Sequence, residues 1–151
     1  ENGFNKNLHN QVCSASLVNK AKIYVSDATV FSYLNSDIIS IGKKTHHEFL
    51  SVLSQMDINL HLSFSESWGQ IASESIALGV PCLVSANTNL LDDNIYLKQK
   101  LTVFKTDSPV SIANQIQEVL KERDELSRIC QSYIEQLNID AELLLNEFIS
   151  A

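Results

Sequence analysis

Short apolar runs rich in Ile, Val and Leu alternate with helix-length amphipathic stretches along this 151-residue sequence. That alternation predicts an α/β fold, a mainly parallel sheet of five or six strands with helices on both faces, because strand–helix–strand repeats require crossover connections. Two further observations support it: helix starts marked by capping signatures at Thr45 and Ser67, and a marked helix stop at Gly79-Val80-Pro81.

In chain order, a first helix is expected over 8–18 and a first strand over 21–25. A shorter helical stretch near 28–34 leads to a strand over 37–41. Thr45-His46-His47-Glu48 fits a capping box, in which the cap hydroxyl and the third helical side chain satisfy each other's backbone N–H groups, and opens a helix over 45–56. A strand over 58–64 follows. Ser67-Trp68-Gly69-Gln70 fits the same box and opens a helix over 68–78, closed by Gly79 and Pro81. Strands over 81–84 and 101–104 come next. Ser108 followed by Pro109 starts a helix running to about residue 122, and helical patterning continues to the end with a break near Asn138. The C-terminal helices are expected to pack on the sheet.

At 44% hydrophobic and 19% charged, the chain has the composition of one globular domain over residues 1–151, and disorder and disulfide mini-proteins are excluded. No apolar run is long enough to span a membrane, and the start lacks the order of a signal peptide. Three cysteines, Cys13, Cys82 and Cys130, without a C-x-x-C pair, read as reduced thiols of a cytoplasmic protein. Up to Lys105 nine acids nearly balance eight bases, whereas nine acids face three bases beyond it. The acidic excess therefore belongs to solvated helix faces, and with no basic stripe, nucleic-acid binding is not expected. Gly42-Lys43-Lys44-Thr45 lacks the first glycine and the hydroxyl spacing of a P-loop, and His46, His47 and His61 lack metal-ligand spacing.

The chemistry concentrates between Ser63 and Pro81. Glu66 falls in the turn after a strand, where open parallel sheets place their ligands, and the helix behind it points unpaired N–H groups and a positive dipole end into the same crevice. Gly69 lets a ligand approach the backbone, and Gln70 and Glu74, four residues apart, share one helix face. A carboxylate pair and a phosphate-ready helix start are thus expected in one crevice.

Glu66 and Glu74 carry the E-x7-E spacing. With Glu-Ser-Trp-Gly and Ser-Glu-Ser-Ile-Ala-Leu-Gly-Val-Pro around them, the segment resembles the donor site of family 4-like retaining glycosyltransferases of the GT-B fold. Lys6-Asn7 resembles the family's helix-starting Lys-Asn pair, and Ile41-Gly42 its base-pocket segment. The resemblance implies a Rossmann-like three-layer sandwich, the C-terminal, nucleotide-sugar-binding half of such an enzyme. It implies that Glu66 contacts the donor sugar and that Glu74 binds the ribose hydroxyls. Ser67, Trp68, Gly69 and Gln70 would line sugar and phosphates, Gly42 the base, and Lys6 would neutralise the diphosphate leaving group. No metal or other cofactor is implied. The partners implied are the donor and an N-terminal acceptor-binding domain, the expected route of any peripheral membrane association, without which the domain is expected to be inactive. Many relatives have an arginine a few residues before this lysine, where Phe4 and Asn5 stand here. The alternatives are another GT-B sugar-nucleotide enzyme, such as an epimerase, or a binding module without turnover.

Overall fold

The computed structural model describes residues 6–65 and 69–150. Glu66, Ser67 and Trp68 lie outside the described residues. Five strands are present among the described residues: β1 (Lys22–Val25), β2 (Asp37–Ser40), β3 (Asn59–His61), β4 (Cys82–Ser85) and β5 (Thr102–Val103). Six α-helices accompany them: α1 (Leu8–Ser16), α2 (His46–Leu53), α3 (Gln70–Ala77), α4 (Ile95–Leu101), α5 (Pro109–Lys121) and α6 (Arg123–Ser150), with a 3₁₀ turn at Thr29–Phe31. Every described strand pairing is parallel, as the alternation requires.

The strands form two sheets rather than one continuous sheet. β1 pairs with β2, while β4 lies between β3 and β5. A cavity of about 850 Å³ lies between the two sheets, lined by Ile23 and Val25 of β1, Ile58 and Leu60 around β3, and Val12 and Ile116 of α1 and α5. The apolar residues divide in the same way. The larger core surrounds β3–β4–β5 with Leu62, Ile76, Leu83, Leu97, Ile112 and Leu126, and a smaller one joins Val12, Ile23, Val25 and Phe31. Local strand pattern contains nothing that states which strand edges will meet, so the division could not be read from periodicity.

Local chemistry accounts for most boundaries. Thr45 caps α2 in the expected box: its backbone N–H and hydroxyl both donate to Glu48 Oε2 at 2.8 Å, and its Oγ1 accepts from Glu48 N–H. Ser108 caps α5, with Pro109 as the first helical residue. Ser67, the expected cap of α3, lies outside the described residues. That helix begins at Gln70, behind Gly69 at φ 81°, ψ 63°, a left-handed conformation that a glycine adopts without a Cβ clash. Helix α4 has no separate signature in the sequence, because its apolar residues run directly into those of β5. Asn94 starts it, its side chain accepting from Leu97 N–H.

The expected break near Asn138 is absent, and α6 runs unbroken to Ser150. Asparagine is only mildly unfavourable inside a helix, and no proline or glycine stands there. The far end of α6 also departs from the expected packing. Tyr133 is anchored by its hydroxyl to Leu90 O at 2.8 Å, whereas Leu143, Leu144, Leu145, Phe148 and Ile149 are exposed. No helix among the described residues is long and apolar enough to cross a membrane.

Candidate functional site

Helices that lead into parallel strands run back along the sheet, so their N-termini gather at the strands' carboxyl edge. Side chains lock the loops there. Ser40 Oγ, at the end of β2, accepts from Ala28 N–H just past β1, and Gly42 N–H donates to Ser26 O at 3.1 Å. Beyond β3, the carbonyls of Ser63 and Phe64 accept from Ser85 Oγ at 2.7 Å and Asn87 Nδ2 at 2.8 Å, so the exit of β4 holds the loop leading to α3. The head of α1 joins this edge through Asn7, whose Nδ2 donates to Thr106 O at 2.7 Å.

Gly69 heads α3, packed closely enough that a Cβ there would meet His61 Cδ2 and Thr88 Cγ2 at 3.4 Å each. His61 and Thr88 are both buried, and Thr88 Oγ1 has no hydrogen-bond partner among the described residues. One turn into α3, Gln70 Nε2 donates to Glu74 Oε1 at 3.1 Å, the contact expected of a four-residue spacing. His46 Nε2 lies 3.1 Å from the same oxygen. The Glu74 side chain is 19% exposed, so this carboxylate is largely covered and paired rather than a free surface acid.

The described candidates thus stand at one edge of the fold. Gly42, at φ 67° with open space around its α-carbon, follows β2, and the helix that comes next brings His46 to Glu74. Lys6 sits at the head of α1, its carbonyl accepting from Gln11 Nε2 at 2.6 Å. Glu66, Ser67 and Trp68, the other three expected contacts in this region, lie outside the described residues. Sequence reading missed His46, Ser85, Asn87 and Thr88. Of these, only His46 carried a signal, its place in the first turn of a capped helix.

Charge effects at this edge are local. The Thr45 N–H and then its hydroxyl hold the Glu48 carboxyl below its ordinary range, and the Thr29 hydroxyl and N–H do the same for Asp27. Burial pushes the Cys82 thiol far up and that of Cys130 up to about 12, so both are protonated core residues without nucleophilic character. Among the described residues no group of three or more His, Cys, Asp or Glu side chains is gathered to hold a metal ion.

A parallel α/β domain with its candidate side chains at the carboxyl edge has them where open α/β sheets bind their ligands. The chain belongs to the glycosyl transferases group 1 family, which it matches over residues 32–136. Its fold is that of Rossmann-like GT-B domains. It is similar to the catalytic domain of cholesterol-α-glucosyltransferase from Helicobacter pylori, with a TM-score of 0.74 at 12% identity over 90% of this chain and 93% of that one. It is also similar to sucrose-phosphate synthase from Thermosynechococcus elongatus, with a TM-score of 0.71 at 18% identity, covering 99% of this chain but 44% of that one. No curated protein sequence matches the chain.

Proposed function

We propose that this domain binds a nucleotide diphosphate sugar and, together with an acceptor-binding domain, transfers the sugar with retention of anomeric configuration. The observation that carries the reading is the meeting of His46 with Glu74, which draws the segment behind Gly42 and the face of α3 into one neighbourhood at the carboxyl edge. In the resemblance these two segments serve base and ribose. Glu74 is the ribose acceptor in this reading, and Gly69 with the head of α3 receives the phosphates through backbone N–H groups.

In the transfer, the bond from the anomeric carbon to the diphosphate oxygen breaks and a bond from the acceptor oxygen to that carbon forms. The diphosphate carries away the bonding electrons, and the acceptor's proton passes to it. Lys6 opposes the charge that builds on the diphosphate, and Glu66 holds the sugar hydroxyls as the bond opens. The residues before Lys6, Phe4 and Asn5, favour a second reading, a donor-binding module without turnover, because a further cation for the leaving group is not among them. Titrating nucleotide sugars into the intact protein and assaying released nucleoside diphosphate separates the two. Binding with release supports transfer, binding without release on any acceptor supports the module, and no binding rejects both.

A further inference from the structure

We infer that His46 is a positioning residue for nucleotide binding: it holds one oxygen of the Glu74 carboxylate so that the other is presented to a ribose diol. The inference rests on the donor-binding reading above and assigns to that site a residue from a different helix.

Among the described residues, Gln70 Nε2 donates to Glu74 Oε1 at 3.1 Å, and His46 Nε2 lies at ion-pair distance, 3.1 Å, from the same oxygen. A glutamate side chain has several rotatable bonds, and ordering it on a ligand costs rotamer freedom. A hydrogen bond from Gln70 and the His46 ring beside the same oxygen restrict the carboxylate before the ligand arrives, and Oε2 is the oxygen assigned to the ligand.

His46 itself is held. It is the first residue of α2, directly behind Thr45, whose capping box with Glu48 fixes the first turn. Its imidazole is 62% exposed, so it contributes little to the core, and among the described residues its charged neighbour is Glu74.

The test is a calorimetric comparison with uridine, guanosine and adenosine diphosphates and their 2′-deoxy counterparts. The probes are titrated into the wild-type chain and into the His46→Leu, His46→Gln, Glu74→Gln and His46→Leu/Glu74→Gln variants. With the best-bound base, His46→Leu is expected to weaken the ribonucleotide about fivefold and to erase most of the preference over the 2′-deoxy form. His46→Gln, which keeps an N–H donor, is expected to recover affinity to within about twofold of wild type, and His46→Leu to add nothing in the Glu74→Gln background. Equal weakening of ribo and deoxy forms, or a Gln variant no better than Leu, would mean a merely structural role and overturn the inference. If Glu74→Gln loses the ribonucleotide while His46→Leu does not, the positioning role falls and the donor-binding reading stands. If the wild type binds none of the probes, or Glu74→Gln binds them as well as wild type, that reading falls and takes the inference with it. Unchanged thermal unfolding of the exposed-site His46 variants confirms that folded proteins are being compared.

Discussion

Glu74 and Glu66 separate by what each is expected to touch. Glu74→Gln keeps the hydrogen-bonding shape but removes the charge, and a hydrogen bond to a charged group is worth about 1.5–3 kcal/mol, so nucleoside diphosphate and intact donor should weaken together by roughly tenfold or more. Calorimetry with both ligands checks this, and equal affinities before and after the substitution would remove Glu74 from the site. Glu66→Gln should leave nucleoside diphosphate affinity nearly unchanged and lower turnover in the intact enzyme, the pattern of a contact that strengthens as the bond breaks. Parallel loss of nucleotide affinity in that variant would contradict the division of roles. The Gln70–Glu74 pairing was legible in the sequence, because four residues along a helix is a short-range rule. The His46 contact was not, since nothing in residues 45–48 indicates which helix they will face.

At the level of elements, the cap of α2 and the end of α3 are the sensitive points. Thr45→Ala removes one side of the capping box and should lower Tm by about 3 °C at neutral pH. Because the contacts to Thr45 depress the Glu48 carboxyl, the folded state gains from them above the ordinary carboxylate value of 4.5 and loses that gain as pH falls through the lowered one. Alanine keeps the backbone N–H and removes the hydroxyl, so the Tm difference between wild type and Thr45→Ala should be larger near pH 7 than near pH 3, and a constant difference in thermal melts at both would show that the hydroxyl does not depress the carboxyl. Gly79, at φ 75°, ends α3, and a Cβ there would come within 2.8 Å of Ser127 Oγ and Gln131 Nε2 on α6. Those side-chain ends can move but the backbone strain cannot be relieved, so Gly79→Ala should cost about 1–2 kcal/mol in denaturant unfolding. A cost indistinguishable from zero would show that the backbone relaxes.

Across the whole molecule, the open interval between the two sheets sets local stability. Strand β4 is paired on both sides and buried along its length, whereas β1 and β3 each have one described partner. Amides of Tyr24, Val25 and Leu60 should therefore exchange with solvent faster than those of Leu83 and Val84. Native-state hydrogen exchange reads this directly, and equal protection across all of them would show that the interval is closed in solution.

The α/β class, the parallel direction, the Thr45 and Ser108 caps and the Gln70–Glu74 pairing all follow from near-neighbour chemistry, in which hydrophobic period, cap residues and glycine placement act within a few positions. The division into two sheets, the left-handed entry to α3 at Gly69, the unbroken α6 and the approach of His46 to Glu74 depend on elements far apart in the chain. They are decided by which apolar faces can be buried together and which loops those faces leave side by side, and that competition among packings exists only once the whole chain has folded.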